Sequence, residues 1–333
     1  MHAAALRYID EVARSGSIRK AAERLHVAAS AVNRQILKLE EDFGVQLFER
    51  LPRGMRLTPA GDIVVRHVRA TLFDFDRVRG EISELKGTRT GLVRVACLDS
   101  LLANVMPEVI TEFCRRHPAV TYLVESGVHG RIVHLVAEGD VDIGVTFDLD
   151  HHPELALSAD IPMPIMAMMA ADHPLARHAE VSISECAAYP LLLQQDTQPI
   201  RSQIDVELQL LHKLRRPLVA CNNMVLLKQL VVNRLGVAFY TPIGFLSELE
   251  AGIVRAVPIA GTSVSDLRIG LLLHHRRRPG PAAAAMVEAL GSALRRLSER
   301  IAPLEAPIGH GPASRRGSSQ RRQRAGVREA LSR

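Results

Sequence analysis

Apolar positions near the start of the chain recur every three or four residues, in two short segments joined by a three-residue connection around Val27. The first segment follows Ser17, whose hydroxyl can accept a hydrogen bond from a free amide of the next turn. The repeating positions are Ala21, Ala22 and Leu25, then Val32, Ile36 and Leu39. This spacing predicts two helices. Two short helices crossing through a tight turn at small alanines predict a helix-turn-helix.

The polar face of the second predicted helix carries side chains suited to reading DNA. Asn33 and Arg34 can each make paired hydrogen bonds to a base edge in the major groove. Ala29, Ser30 and Lys38 lie on the same face. We therefore expect this helix to enter the groove.

A small hairpin is predicted directly afterwards. Residues 47–50 and 55–57 have strand character around the sequence LPRG, which places Arg53 at the tip. Such a wing suits contact with phosphates or the minor groove. Thr58 and Pro59 then predict a helix start, with threonine as the cap and proline at the first position.

A long helix is predicted over 62–86, with one apolar stripe along it. The stripe has near-heptad spacing and consists of Val64, Val68, Leu72, Phe75, Val78, Ile82 and Leu85. The stripe either packs on its own small domain or pairs with a second copy. We favour self-association, because the domain offers no obvious partner for it. The sequence GTRTG at 87–91 breaks the helix and predicts a hinge.

Strand and helix patterns alternate from residue 93 to residue 300, which predicts parallel sheets covered by helices. Strands are predicted near 93–98, 121–125, 143–147, 165–170, 191–194, 218–221, 237–240 and 267–274. Helices are predicted near 3–14, 101–114, 131–138, 200–211, 224–232 and 282–300. The stretch is long enough for two α/β lobes.

Charge separates the ends of the chain from its middle. Residues 1–87 carry 15 Lys/Arg against 12 Asp/Glu, residues 304–333 carry 7 against 2, and the segment between carries 20 against 22. The amino-terminal excess suits a domain bound to phosphates. The near-neutral middle argues against nucleic acid as its partner. The Arg-rich end from 304 has no apolar periodicity, which predicts a disordered tail, either passive or with non-specific DNA affinity.

The chain has no pattern typical of an enzyme, a metal site or a membrane span. It lacks GxSxG, a phosphate-binding glycine loop and HExxH, so we predict no catalytic residue, cofactor or metal. The most apolar run, 161–171, is too short to cross a bilayer, which predicts a cytoplasmic protein. Cys97, Cys114, Cys186 and Cys221 form no CxxC pair. Small buried hydrophobes are the preferred interpretation, with redox sensing at Cys97 or Cys221 as the alternative.

The ordered motifs AAERL, LE-x-x-x-G-x-x-LF-x-R and LTPAG resemble the amino-terminal domain of LysR-type transcriptional regulators. VRVACLDSLLANVMPEV, EGDVDIGV, DHPLA and LGVAFYTP resemble segments of that family's effector-binding domain, which is similar to periplasmic binding proteins. The resemblance covers about 3–300 and implies a dimer or tetramer. It implies partly dyad-symmetric promoter DNA and a small-molecule effector as partners, and it leaves RNA polymerase open as a further one.

The expected fold is therefore α/β: a winged helix-turn-helix domain at 1–60, a linker and dimerisation helix at 61–87, and a two-lobed effector domain at 88–303. Lobe I is predicted at about 91–160 and 267–303, and lobe II at about 164–262. The chain is expected to cross between lobes near 158–164 and 261–266.

Ligands of open α/β sheets bind beyond the carboxyl ends of strands. The polar groups at those positions are Asp99, Ser100, Thr146, Phe147, Asp196, Thr197, Asn222 and Asn223, with Tyr240 as a weaker candidate. For Asp99, Ser100 and Asn222, helix capping is at least as good an explanation. If Asp99 faces the cleft, it disfavours a plain carboxylate ligand unless a cation compensates.

The DNA-contacting set predicted from these patterns is Ser17, Arg19, Ser30, Asn33, Arg34, Lys38, Arg50 and Arg53. Relatives of this family usually have Ser or Thr where this chain has Ala28, a polar group at Ala29 and serine at Asn33. We therefore expect Ser30 to take over as the cap and the helix to start later. Two other functions stay open: a ligand-independent DNA-binding, oligomerising protein, or a small-molecule binding protein without DNA function.

Overall fold

The computed structural model describes residues 3–52, 54–147, 152–194, 217–260 and 267–305. Arg53, Asp196 and Thr197, the predicted helix at 200–211, the second predicted crossing at 261–266 and the tail from 306 lie outside the described residues. Among the described helices, none is long and apolar enough to cross a membrane.

Three helices and a hairpin form the first domain. The helices are α1 (Ala3–Ser15), α2 (Ile18–Leu25) and α3 (Ala29–Phe43), and the hairpin strands are β1 (Phe48–Leu51) and β2 (Gly54–Leu57). Ser17 caps α2 as predicted, since its side chain accepts a hydrogen bond from the Lys20 amide. The helical spacing predicted one buried face on each helix, and the structure confirms it. Ala21, Ala22, Val32 and Ile36 share one core with Ile9, Val12, Leu47 and Phe48.

The expectation of a late start for α3 was wrong. The helix begins at Ala29, and its cap residue Ala28 makes no side-chain hydrogen bond. The carbonyl of Ala28 instead accepts hydrogen bonds from the amides of Ala31 and Val32, at 3.0 and 3.3 Å. Backbone bonding alone therefore closes the first turn, and the Ser30 side chain stays on the exposed face.

Two glycines allow the wing to pack closely against the rest of the domain. Gly54 has a φ of 134° and a Cβ there would lie 2.6 Å from the Gly16 carbonyl oxygen. That carbonyl accepts a hydrogen bond from the Met55 amide at 2.8 Å. Gly61 faces the Leu47 carbonyl so closely that a Cβ would lie 2.0 Å from its oxygen. Glycine at Gly54 and Gly61 thus permits the hairpin to approach both α1 and the next helix.

The long helix α4 (Pro59–Leu85) begins as predicted, with Thr58 accepting a hydrogen bond from the Gly61 amide and proline in the first turn. Its apolar stripe is not one continuous surface. Val68 is buried and Val64 packs against the core of the first domain, so these two are covered within the chain. Val64 and Val68 were predicted as part of the self-association seam, and this assignment was wrong. Val78, Ile82 and Leu85 are 42%, 49% and 88% exposed.

Two five-stranded sheets follow the linker. The strands of the first sheet are β3 (Gly91–Cys97), β4 (Val120–Ser126), β5 (Ile143–Phe147), β6 (Leu155–Pro162) and β12 (Arg268–His274), in the spatial order β4-β3-β5-β12-β6. Those of the second are β7 (Met166–Ala170), β8 (Leu191–Gln194), β9 (Val219–Cys221), β10 (Val237–Tyr240) and β11 (Val254–Pro258), in the order β11-β7-β10-β8-β9. We call these two units lobe I and lobe II.

The sheets were predicted as parallel, and the structure has mixed sheets. β12 pairs antiparallel with β5 and β6, and β7 pairs antiparallel with β10 and β11. β7 is the first strand after the chain enters lobe II, and β12 is the strand formed when it returns to lobe I. Each therefore runs opposite to its neighbours in the sheet. Three strands of each sheet run parallel to one another: β3, β4 and β5 in lobe I, and β8, β9 and β10 in lobe II.

Helices cover the sheets, and they include two short ones that were not predicted, at Ile183–Cys186 and Leu246–Glu250. The predicted helix at 101–114 is two helices, α5 (Asp99–Leu102) and α6 (Val105–Arg116). The others are α7 (His129–Glu138), α8 (Ile183–Cys186), α9 (Met224–Val232), α10 (Leu246–Glu250) and α11 (Pro281–Glu305), with 3₁₀ turns at Pro174–Arg177 and Pro242–Phe245. The first crossing is shorter than predicted, because 158–162 belongs to β6 and only 163–165 separates it from β7.

Candidate nucleic-acid interface and ligand cleft

The recognition face of α3 is a consequence of its burial pattern. Val32 and Ile36 are buried against α1 and α2, which turns Ser30, Arg34 and Lys38 outward into solvent. An exposed helix face with a hydroxyl, a guanidinium and an ammonium can contact both base edges and phosphates.

Asn33 is joined to the wing. Its Oδ1 accepts a hydrogen bond from the Arg50 guanidinium at 3.1 Å, across 17 residues of sequence. Asn33 is half-buried and Arg50 is exposed. This bond joins one helix residue and one wing residue in a single polar pair.

The remaining predicted DNA contacts are separate from that pair. Ser17 uses its hydroxyl as a helix cap, so its oxygen is already engaged with the Lys20 amide. Arg19 is exposed and lies 3.5 Å from the Glu23 carboxylate, a loose pair between two exposed side chains. On the wing, Arg56 is paired with Glu49 at 2.7 Å.

The second site lies where the carboxyl ends of the parallel strands of both lobes meet. α5 of lobe I lies against the 3₁₀ turn Pro242–Phe245 of lobe II: a Cβ at Gly244 would lie 3.6 Å from the Ser100 Cβ. The Asn104 side-chain amide donates to the Ile243 carbonyl at 3.4 Å, and the Ser247 hydroxyl donates to Asn104 Oδ1 at 2.6 Å. The two lobes are thus hydrogen-bonded to each other at this edge.

Two buried hydroxyls at this edge have no hydrogen-bond partner among the described residues: Ser100 Oγ and Tyr240 Oη. The residues are 9% and 8% exposed. Burial raises the pKa of the Tyr240 phenol, and the nearby Cys221 and the carboxylate of Asp99 raise it further. Asp99 and Ser100, predicted from one strand end, and Tyr240, predicted from another, are therefore neighbours, and the hydroxyls stay protonated donors.

Other predicted ligand contacts are engaged elsewhere. Phe147 packs in the hydrophobic core of lobe I, which corrects its assignment to the ligand. Thr146 is fully buried and its hydroxyl lies 3.2 Å from His129 Nδ1. Asn223 caps α9 by accepting from the Leu226 amide, so the cap considered for Asn222 belongs to its neighbour. Asn222 is exposed at the end of β9.

His129 was not predicted as a site residue. It is the first residue of α7 and follows the carboxyl end of β4, so the strand-end rule that selected Asp99 applies to it equally.

Two of the four cysteines, Cys97 and Cys186, are buried and fit packing better than redox chemistry, whereas Cys114 and Cys221 are half-buried. All four are free. Cys97 is fully buried, and burial, reinforced by the carboxylate of Asp99, raises the pKa of its thiol to about 12. Because the thiolate is the reactive form, this thiol is held unreactive. Among the described residues, no group of three or more His, Cys, Asp or Glu side chains is placed to hold a metal ion.

The fold and these two sites define a winged helix-turn-helix DNA-binding protein with a two-lobed ligand-binding domain. Residues 3–62 match the family described as bacterial regulatory helix-turn-helix protein, lysR family, and residues 86–295 match the LysR substrate binding domain. The chain belongs to the LysR family of DNA-binding transcriptional regulators.

Relatives and solved structures agree with that assignment. The RuBisCO operon transcriptional regulator of Allochromatium vinosum is 26% identical over 297 residues, which cover 89% of this chain and 97% of that protein. The regulator BbuR of Bordetella bronchiseptica is 26% identical, covering 76% of this chain and 79% of BbuR. A full-length OxyR variant of Pseudomonas aeruginosa superposes with a TM-score of 0.64 at 21% identity, covering 89% of this chain and 95% of OxyR. CbnR bound to its target DNA superposes with a TM-score of 0.55 at 18% identity, covering 88% and 100%.

Proposed function

We propose that this protein binds a partly dyad-symmetric promoter as a dimer or tetramer, inserts α3 of each subunit into the major groove, and changes its binding or bending of DNA when a small molecule occupies the interlobe cleft. The observation that supports the DNA-reading part best is the exposed polar face of α3, joined to the wing by the bond between Asn33 and Arg50. Helix and wing then dock as one rigid unit.

Each side chain has a role that its geometry favours. Ser30, Asn33 and Arg34 read base edges, because they lie on the exposed or half-exposed face of α3. Lys38, Arg50 and Arg19 contact phosphates. Arg53 at the wing is assigned to the phosphates or the minor groove from its sequence position. Ser17 acts through its backbone amide or through the position of α2, since its hydroxyl is used as a cap.

Arg34→Ala tests the DNA-reading role. If Arg34 contacts a base, the variant should lose roughly 1–3 kcal/mol of binding free energy on the promoter and much less on random DNA. Arg116→Ala, an exposed arginine of the effector domain, is the control and should bind both DNAs as the wild type does. An equal loss on promoter and random DNA assigns Arg34 to phosphate instead.

The cleft is assigned to a small molecule that bonds the two free hydroxyls of Ser100 and Tyr240. A buried hydroxyl without a partner is costly, and a ligand that supplies acceptors removes that cost. Asp99 beside them favours a ligand with a donor or cationic group over a plain carboxylate.

A thermal-shift screen of metabolites with the full-length protein tests this assignment, because a ligand that binds only the folded state raises its apparent stability. A hit should lose most of its shift in Ser100→Ala and Tyr240→Phe, and keep it in Thr121→Val, which alters an exposed hydroxyl of lobe I. If every hit shifts all variants equally, or alters no promoter footprint, the protein regulates without an effector in this cleft.

Self-association uses the exposed part of the α4 stripe, Val78, Ile82 and Leu85, with Phe75 and Leu72 at its edge. Paired α4 helices place two copies of α3 for two half-sites. Bending of promoter DNA by such an assembly offers a route by which it acts on RNA polymerase.

A further inference from the structure

Arginines of the first domain and of α4 reach carboxylates of lobe I. The Arg69 side chain, only 10% exposed, places Nε 2.9 Å from Asp10 Oδ1 and Nη1 3.3 Å from Asp140 Oδ2 and 3.8 Å from Glu138 Oε2. Arg14 places Nη2 3.0 Å from Asp140 Oδ1 and Nε 3.0 Å from Asp10 Oδ2. We call these five residues the interdomain ion cluster.

Charge is divided between the two sides of this cluster. Arg14, Arg69 and Asp10 belong to the DNA-binding domain and α4, and give that side a net positive charge. Glu138 and Asp140 flank Gly139 at the turn after α7, and Arg277 of lobe I lies beside them, with Nη1 donating to the Glu138 carbonyl at 3.3 Å. A buried guanidinium is costly unless it is paired. Asp10 offsets part of the positive charge and Arg277 part of the negative charge, so docking adds Arg14 and Arg69 as further partners of the lobe I carboxylates.

A second, apolar contact lies further along α4. Gly80 is buried against lobe I, and a Cβ there would lie 3.2 Å from Pro281 Cδ, at the start of α11. Between this contact and the ion cluster is a cavity of about 570 Å³, whose lining includes Arg14, Arg69, Gly80 and Pro281. The DNA-binding domain with α4 and lobe I thus contact each other on either side of a cavity rather than through one continuous packed core.

One helix connects the ion cluster with the ligand cleft. α7 begins at His129, whose ring nitrogen lies 3.2 Å from the Thr146 hydroxyl at the strand ends of lobe I. It ends at Glu138, and Gly139 in the left-handed conformation turns the chain to Asp140. Ten helical residues extend about 14 Å. A rigid helix thus has one end beside the cleft and the other in the ion cluster.

We propose that the interdomain ion cluster holds the DNA-binding domain against lobe I of the same chain, and that α7 transmits changes at the ligand cleft to it. The second half of this proposal rests on the proposed function, since it needs the cleft to be the effector site. The mechanism needs no contact between subunits: a shift of α7 moves both carboxylates relative to Arg14 and Arg69.

Hydrogen exchange of the full-length protein without DNA tests the first half. Asp140→Asn removes the shared carboxylate charge and keeps the side-chain shape. It should accelerate amide exchange at least about threefold in both 6–16 and 134–142, which lie on opposite sides of the cluster. Glu112→Gln, which removes a carboxylate charge elsewhere in lobe I, is the matched control and should change neither segment.

Arg14→Gln supplies the reciprocal measurement. It alters the DNA-binding domain, yet it should accelerate exchange in 134–142, and combining it with Asp140→Asn should add little to either single variant. The proposal is overturned if each variant affects only the segment on its own side. Unchanged thermal unfolding midpoints of lobe I would show that the variants fold.

Thr146→Val tests transmission through α7. It removes the hydroxyl beside His129 and should accelerate exchange in 134–142 and in 6–16, whereas Thr111→Val, at an exposed position of α6 in the same lobe, should not. No response in 6–16 would overturn transmission along α7. None of these measurements uses DNA, so their failure leaves the DNA-reading function standing, and Arg34→Ala tests that function separately.

Discussion

The carboxylate of Glu40, near the end of α3, accepts a hydrogen bond from the backbone amide of Leu47 at 2.8 Å, just before the first strand of the wing. The same oxygen accepts a second bond from the next amide, that of Phe48, at 3.2 Å. The helix ends between them at Gly44, which adopts a positive φ of 67°. The motif LE-x-x-x-G-x-x-LF is therefore a structural unit: the glutamate and the glycine set the direction in which the chain leaves the recognition helix.

Replacing Glu40 should destabilise the DNA-binding domain. Glu40→Ala leaves two amides at the start of the wing without an acceptor, and we expect a loss of roughly 1–3 kcal/mol in the free energy of unfolding. Glu40→Gln keeps one acceptor oxygen and should lose less. Urea unfolding monitored by circular dichroism measures the difference, with the exposed neighbour Glu41→Ala as control. Equal stability of Glu40→Ala and Glu41→Ala would contradict the role assigned to these bonds.

The first 60 residues were the most predictable part of the fold, because their signals are local. Ser17, Thr58 and Pro59 mark helix starts through contacts within three residues, and these were confirmed. The role of Glu40 depends on amides seven and eight residues away, which periodicity does not report. The start of α3 was predicted wrongly because a cap was sought among side chains, whereas Ala28 uses its carbonyl.

The bond between Asn33 and Arg50 should couple the helix to the wing during DNA binding. We expect Asn33→Ala and Arg50→Ala each to weaken promoter binding by roughly 1–3 kcal/mol, and the double variant to lose less than the sum. Fluorescence anisotropy with the promoter and with random DNA measures the cycle. Arg56→Ala, on the same wing but paired with Glu49, is the control. Strict additivity would show that the pair breaks when DNA binds.

Sequence position predicted which residues lie at the ends of the strands around the cleft, but not which of them face it. Asp99, Ser100 and Tyr240 were selected one by one as groups at strand ends, and the structure places them together, since the strands that precede them end at facing edges of the two sheets. Phe147 met the same rule, yet it lies in the core of lobe I, because the rule gives position along a strand and not the side of the sheet. β7 and β12 were predicted as strands, but their antiparallel direction was not, since strand direction depends on where the chain crosses between lobes.

The exposed end of α4 should control oligomeric state. Ile82 is 49% exposed, and Ile82→Glu places a charge in the proposed seam, so we expect the dimer dissociation constant to rise at least about tenfold, or roughly 1.4 kcal/mol. Ile63→Glu is the matched control: Ile63 is 63% exposed on the same helix but outside the stripe. Analytical ultracentrifugation of the full-length protein over a concentration series distinguishes them. Dissociation by both variants, or by neither, would assign dimerisation to another surface.

Asp142 should make the stability of lobe I depend on pH. Its carboxylate accepts a hydrogen bond from the Arg94 amide at 2.6 Å, and burial raises its pKa to about 6 despite that bond, with Asp76 of α4 adding to the rise. A carboxyl whose pKa is higher in the folded protein than in the unfolded chain binds its proton more tightly when folded. Its contribution therefore stabilises the fold at low pH and is lost as the pH rises through about 6.

Asp142→Asn removes this dependence while keeping an oxygen for the Arg94 amide. At pH 8 the variant should be more stable than the wild type by roughly 1–2 kcal/mol, since each unit of pKa shift corresponds to about 1.4 kcal/mol. At pH 5 Asp142 is mostly protonated in the folded wild type, so the stability difference between variant and wild type should shrink by roughly 1 kcal/mol. Urea unfolding at both pH values measures it, with the exposed Asp74→Asn as control. A stability difference between variant and wild type that is the same at pH 5 and pH 8 would show that the pKa of Asp142 is not raised. It would mean that water reaches the carboxylate between α4 and lobe I.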